Sequence, residues 1–300
     1  MAVGCRATVP GTVAATLRAA RATLAQLDSV VRSESPGLDA EVLLRTVLGW
    51  TREELLARTE APVAPQQRRQ LDGLLARRAA GEPVAYLTGF KEFMGLALAV
   101  SPAVLIPRPD TECLVERALA VLPDDGRRRV VADVGTGSGA IGIGLAVQRP
   151  MLHAYALDSD RRACDVAIAN ACSHEVTERV TVRCGDLLAP LPESADVIVA
   201  NLPYIPSDVL PTLSVPVRDY EPRAALDGGD DGLAVYRRLL GQLAARPGSL
   251  RRPGHVLCEC DPSQVEALSN LAREALPDAV IEVVHELAGR AQGIHARVRA

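Results

Sequence analysis

The sequence predicts an α/β fold: a doubly wound, mostly parallel seven-stranded sheet of Rossmann-like type, with an N-terminal helical bundle and a β-hairpin linker ahead of it. Three observations carry this. From Arg129 onward, short apolar runs alternate with segments of ten or so residues at helical spacing, and strands that read as continuous Val/Ile/Leu runs are those buried on both faces. The first such run ends in a glycine-rich loop, Gly135-Thr136-Gly137-Ser138-Gly139, that opens a helix. Residues 11 to 80, by contrast, keep helical periodicity throughout.

The bundle is assigned to residues 1–83. Its first helix extends to about residue 31, with Val13, Leu17, Leu24 and Leu27 at helical spacing. Arg6, Arg18 and Arg21 precede any acid, which is also how a transit peptide reads, but the apolar spacing favours a helix. Further helices are expected at 39–48, at 52–58 with a Thr51/Glu54 capping box, and at 66–80, ended by Gly81 and Pro83. Arg68, Arg69, Arg77 and Arg78 could form a basic docking face, although a solvated helix surface is the simpler account. Residues 84–107 alternate apolar and polar positions around Gly89 and Gly95, so they are assigned to the hairpin linker. Tyr86, Phe90 and Phe93 cluster there, suggesting a wall packed on the bundle or a ligand, with core packing as the default. Residues 108–300 form the third part. Strands are expected at 130–134, 153–158, 180–184, 197–200 and 255–260, and helices at 140–149, 161–171, 233–245 and 263–275. Two closing runs, 280–287 and 294–298, are too close for a helical crossover and should pair antiparallel at one edge.

Composition narrows the function. With 48% hydrophobic and 23% charged residues, the 300-residue chain is too apolar for disorder. Its one lysine, Lys91, lies outside any Gly-Lys-Ser/Thr context, which excludes P-loop nucleotide hydrolases and disfavours Schiff-base chemistry. A net charge of -4 supplies no field to hold a polyanion, so no stable nucleic-acid binding is expected and a protein or small-molecule partner is favoured. Seven cysteines without paired C-x-x-C spacing, and five scattered histidines, argue against disulfides, zinc or any other metal. The thiols read as small core hydrophobes in a reducing cytoplasm, and no apolar run is long enough to span a bilayer.

The chemistry is concentrated in two loops. Glycines 135, 137 and 139 let the backbone turn tightly against a ligand, and Asp158 ends the next strand where a ribose-binding acid belongs. Gly137, Gly139 and Gly142 also satisfy G-x-G-x-x-G, so a nicotinamide-dependent oxidoreductase must be weighed. Asp133, just before the loop, favours S-adenosyl-L-methionine instead, because a carboxylate suits a cationic methionyl group better than a pyrophosphate. Asp186, after the third strand, adds an acceptor for an adenine. The fourth strand ends Asn201-Leu202-Pro203-Tyr204. A planar NH2 nitrogen is a poor nucleophile because its lone pair is delocalised. The Asn201 side-chain carbonyl and the Leu202 backbone carbonyl can accept its two hydrogens and aim it at a methyl donor, with Tyr204 stacked on the planar group.

Here the chain resembles the PrmC/HemK family of protein-(glutamine) methyltransferases. The resemblance rests on Gly81-Glu82-Pro83-Val84-Ala85-Tyr86-Leu87-Thr88-Gly89, Ile106-Pro107-Arg108-Pro109-Asp110-Thr111-Glu112 and Tyr220-Glu221-Pro222-Arg223, followed by Ala225-Leu226-Asp227-Gly228-Gly229, as well as on the two loops. It implies a class I methyltransferase sheet and S-adenosyl-L-methionine as cofactor. The implied substrate is the side-chain amide of the Gly-Gly-Gln glutamine in class-I peptide chain release factors, and the implied setting is translation termination in the cytoplasm. The helical domain would help recognise the substrate protein, and a monomer is expected. Carried over residue by residue, cofactor contacts fall on Gly135 to Gly139 and Asp158, with Leu187 beside the adenine. The substrate loop falls on Asn201 to Tyr204, while Arg108 and Glu112 order the mouth. One departure stands out. The family's usual loop is Asn-Pro-Pro-Tyr, and Leu202 replaces the first proline, giving a sequence familiar from adenine dimethyltransferases of ribosomal RNA. An amino methyltransferase acting on adenine in RNA or DNA is therefore an alternative. The carbonyl at 202 survives the change and the fixed φ does not, so activity is expected with a softer loop.

Overall fold

A computed structural model of the chain describes residues 11–27, 31, 35–285 and 289–300. The chain divides into two compact units. One reaches to Gly89 and takes in Ser214–Tyr220, and the other holds Phe90–Leu213 and Glu221–Ala300.

In the first unit, α1 (Val13–Ala25) starts at Thr12, whose side chain accepts the Ala15 N–H. The expected extension to residue 31 is not formed. Gln26 caps the helix, and residues 28–30 lie outside the described residues. The next helix, α2 (Pro36–Leu48), begins earlier than expected because Pro36 needs no N–H in a first turn, and it stops at Gly49 in the left-handed region. The Thr51/Glu54 capping box is present at the head of α3 (Arg52–Ala57). After α4 (Pro65–Ala79) comes α5 (Val84–Thr88), ended by left-handed Gly89. Val13, Leu24, Leu43, Leu44, Leu55 and Leu71 form the core of this unit. Three of the four arginines considered for a docking face are engaged within the unit. Arg78 is buried against Asp39, Arg77 grips Glu82, and Arg68 donates to Thr16.

Residues 84–107 do not form one hairpin. Pro83 and Gly89 bracket a helical turn in which Leu87 joins the bundle core, and only β1 (Phe90–Phe93) and β2 (Leu96–Ala99) pair. Phe93 and Tyr86 are buried as core packing requires, whereas Phe90 is 58% exposed. A helix absent from the sequence reading, α6 (Glu112–Val121), follows, with Leu114, Val115 and Ala118 turned inward.

The remaining elements are β3 (Arg129–Val134), α7 (Ala140–Gln148), β4 (Leu152–Asp158), α8 (Arg161–Ser173), β5 (Val180–Cys184), β6 (Ala195–Ala200) and the one-turn α9 (Val215–Arg218). They continue with α10 (Ala234–Ala245), β7 (Leu250–Glu259), α11 (Val265–Ala275), β8 (Ala279–His285) and β9 (Ala291–Val298). The α9 turn belongs to the first unit. The seven strands order as β5-β4-β3-β6-β7-β9-β8, and β9 runs antiparallel to both its neighbours. The antiparallel edge pair therefore forms as expected; the end of its first run, residues 286–288, lies outside the described residues. Both faces are buried. Val130, Ala132 and Val134 point to the layer of α10 and α11, while Val131 points to α6 and α7. Cys164, Cys258 and Cys260 are buried as expected of core thiols, but Cys172 and Cys184 are exposed; Cys5 lies outside the described residues. Among the described residues, no helix is long and apolar enough to cross a membrane, and no cluster could hold a metal ion.

Candidate active site

The sheet reverses its order at β3, which has β4 on one side and β6 on the other, and in open α/β sheets ligands bind beyond the strand ends at that crevice. A cavity of about 330 Å3 lies there. Its walls include Gly135 to Ser138, Leu157 to Asp160, Asp186, Leu187, and Asn201 to Pro203, closed by Phe93, Arg108 and Thr111. Two loops and two strand ends that the sequence singled out are thus brought together.

The loop after β3 is shaped by glycine. Gly135 has φ +74°, and a Cβ there would stand 2.8 Å from Leu202 Cδ2, so only glycine lets the two loops touch. Gly139 has φ +83°, and a Cβ would strike Ile143, so it serves the start of α7 and does not line the cavity. The loop's N–H groups are largely used within the protein. Those of Gly135 and Thr136 reach Leu157 O, that of Gly137 reaches Asp158 Oδ2, and that of Gly139 reaches Thr136 O. A pyrophosphate would find few free donors here.

Asp133 does not line the cavity either. The strand alternation that turns Val131 toward α7 turns Asp133 the same way, where its Oδ2 accepts Thr136 Oγ1 at 2.6 Å and Gly142 N at 2.9 Å. It braces the loop from behind instead of meeting a ligand. Burial pushes its carboxyl up to about 6 against those two hydrogen bonds, and Oδ1 has no partner. Asp158 does line the cavity, with its oxygens accepting the N–H groups of Gly137 and Asp160; burial raises its pKa. Asp186 also lines it and is engaged by Arg238 and by Gln242 Nε2 at 2.9 Å. Leu187 adopts φ +49°, a strained conformation for a side chain of its size, and its buried side chain forms part of the wall.

At the end of β6, Asn201 Nδ2 donates to Thr111 Oγ1 at 2.9 Å, and the Leu202 N–H donates to Tyr236 Oη at 3.1 Å. Tyr236, wholly buried in α10, also donates to Glu259 O, tying β6 to β7. Tyr204 lies outside the cavity wall, half-buried against the apolar layer, with its carbonyl accepting Gln264 Nε2 at 2.8 Å. Of this loop, Asn201, Leu202 and Pro203 line the cavity. Arg108 lines the mouth and pairs with the buried carboxylate of Glu221, which also accepts the Ile106 N–H. Glu112 is turned elsewhere and caps the hairpin at Met94 N. Sequence reading passed over Thr111, Tyr236 and Glu259. The one available signal was Glu259 itself, an acid directly after the apolar run Val256-Leu257-Cys258.

Comparison with known proteins adds to the geometry. Residues 15–89 match the family described as PrmC N-terminal domain, and residues 111–209 the methyltransferase small domain. The chain is 46% identical over 258 residues to the release factor glutamine methyltransferase of Moorella thermoacetica, covering 86% of this chain and 89% of that one. It belongs to the release factor glutamine methyltransferase family. Another member, from Bradyrhizobium diazoefficiens, is 36% identical over 283 residues and 94% of each chain. The Escherichia coli member is 44% identical over 223 residues, 74% of this chain and 78% of its own. In fold alone, the chain resembles the hMettl16 catalytic domain solved with a MAT2A 3′UTR hairpin, at a TM-score of 0.55 and 16% identity over 69% of this chain and 76% of that one. The inserted antiparallel β9 agrees with a methyltransferase sheet, not with the six-stranded dinucleotide-binding order.

Proposed function

We propose that this enzyme methylates the side-chain amide nitrogen of the glutamine in the Gly-Gly-Gln motif of class-I peptide chain release factors, in the cytoplasm. The observation that carries this is the placement of the Asn201 carboxamide and the Leu202 peptide in the wall of the cavity that the glycine loop shapes. S-adenosyl-L-methionine is the cofactor of this family and supplies an electrophilic methyl group on a sulfonium. The residues present fit it. The cavity is of the size used for small ligands. Both cations in its wall are neutralised by partners, Arg238 by Asp186 and Arg108 by Glu221, while Asp158 is held by backbone N–H groups and leaves negative charge for a cationic donor. Gly135, Thr136, Gly137 and Ser138 would shape the methionyl side, Asp158 the ribose, and Leu187 and Asp186 the adenine.

The substrate amide needs orientation more than a base. Asn201 Oδ1 and the Leu202 carbonyl would accept its two hydrogens and hold the nitrogen lone pair toward the methyl group. Pro203 stiffens that turn, and Tyr204 holds it from behind. The bundle unit is read as the part that recognises the protein substrate, supported by its match to the PrmC N-terminal domain. The charge of -4 favours a protein over a polyanion as partner; a monomer is part of the same reading.

Labelled S-adenosyl-L-methionine offered with release factor and ribosomal RNA together tests the reading. Label should enter the release factor and be lost when the Gly-Gly-Gln glutamine is changed to alanine. Label in RNA alone would reverse it.

A further inference from the structure

Glu259 is the last residue of β7 and is 3% exposed. Strand register brings it to the site: Ala200 pairs with Cys258, so Asn201 and Glu259 follow side by side one residue later. Its side chain does not line the cavity. One carboxylate oxygen, Oε2, is buried with no hydrogen-bond partner. Burial pushes the carboxyl up to about 7, while hydrogen bonding from Thr111, Asn201 and Tyr204 favours its charged form. An acid held under such conditions is unfavourable for the fold, so its presence needs an account.

That account comes from the two ends of a carboxamide. A substrate NH2 group requires Asn201 to present Oδ1, and rotating the amide by half a turn would present Nδ2. Nδ2 is engaged by Thr111 Oγ1. The Thr111 hydroxyl has a single hydrogen, and since its oxygen accepts from Asn201, that hydrogen is directed onward to an acceptor. A carboxylate only accepts, and the Glu259 carboxylate is the acceptor that Thr111 and Asn201 both face. In the reversed amide, Thr111 would donate to Asn201 and Nδ2 would turn away, leaving the buried carboxylate with Tyr204 alone of its three donors.

We propose that Glu259 is a positioning residue: directly and together with Thr111, its carboxylate holds the Asn201 Nδ2 and so fixes the carboxamide with Oδ1 toward the cavity. This rests on the reading of the site as one that methylates an amide.

The test uses the full chain with Glu259→Gln, and with Thr111→Val as a second break in the same relay should the first not fold. With release factor as substrate, kcat should fall on the order of 10-fold to 100-fold in either variant. Affinity for S-adenosyl-L-methionine, read by calorimetry, should change less than about twofold, and the double variant should be no worse than the worse single one. In the wild type, kcat should fall as pH drops below about 7, and Glu259→Gln should lose that limb. Asp110, Asp261, Tyr204, Tyr236 and Cys260 also face this region, and burial holds the last three well above neutrality. Independent of any substrate, nitrogen-15 spectra should show slow proton exchange of the Asn201 side-chain NH2, at least about tenfold faster in both variants, as expected when a buried hydrogen bond is lost. Unchanged Asn201 exchange, an unchanged pH limb, or a loss of kcat matched by equal loss of donor affinity would each overturn the proposal. Absence of methyl transfer by the wild type would count against the substrate reading alone, since the exchange measurement still decides the role of Glu259.

Discussion

Leu202 stands where the family usually carries proline, and the structure shows what the exchange supplies. Proline has no N–H, whereas Leu202 donates one to Tyr236 Oη. The softening expected from a free φ is countered by this tie. Leu202→Pro should therefore lose on the order of 1 kcal/mol of stability, and Tyr236→Phe about 1–3 kcal/mol by leaving that N–H buried and unpaired. Urea unfolding of both and of the double variant should show coupling between them, with Tyr236→Phe milder in the proline background. Glu259 sets a second expectation. Below about pH 4.5 it is protonated in both folded and unfolded chains, and above about 7 the native state must bury its charge. Its contribution to stability thus falls as pH rises through that window, by on the order of 3 kcal/mol. His295, held near 4 by burial beside His255 and Arg117, works in the opposite direction as pH falls. The measurement is therefore the difference between wild type and Glu259→Gln at pH 5 and pH 8, which should widen in favour of the variant at pH 8. Beyond an acid at the end of an apolar run, none of this was legible in the sequence, because Glu259, Thr111 and Asn201 meet only through β6–β7 register and a distant helical turn.

At the level of elements, what could be read locally was read well. The capping box at Thr51 and Glu54 is a spacing of three, and both of its hydrogen bonds are present. Thr51→Ala should cost about 1 kcal/mol in the first unit, measurable by chemical denaturation. The β3-loop-α7 passage was equally plain, since left-handed glycines and a following helix leave a local signature. Gly135→Ala should weaken S-adenosyl-L-methionine binding more than about tenfold, combining left-handed strain of roughly 1–2 kcal/mol with the 2.8 Å approach to Leu202; calorimetry that found normal affinity would count against the assigned cradle. What escaped were elements whose partners lie far away in sequence. The α5 turn has alternation that mimics a strand, and the apolar side of α6 is covered by β7 and α7, elements far from it in sequence. Asp133 was found as a motif position but misplaced, since alternation along β3 decides which layer it enters.

On the scale of the whole molecule, the cavity is formed entirely by residues of the sheet-bearing unit. Ligand at 100 times its dissociation constant should stabilise that unit by about 2.7 kcal/mol. Hydrogen exchange should slow in β3, α7 and residues 201–204, and protection confined to the bundle would contradict the placement. The chain reaches its charge of -4 with almost no ammonium groups, so its salt bridges are made by guanidinium groups, whose planar forks suit carboxylates. One consequence is practical. Lys91 sits in β1, paired with Leu98 and two residues from Phe93, which lines the cavity. Once the α-amino group is blocked, amine-selective acylation therefore finds a single side chain in the protein, and a fluorophore placed there would ride on the strand that helps wall the site, an optical gauge of occupancy requiring no engineered residue.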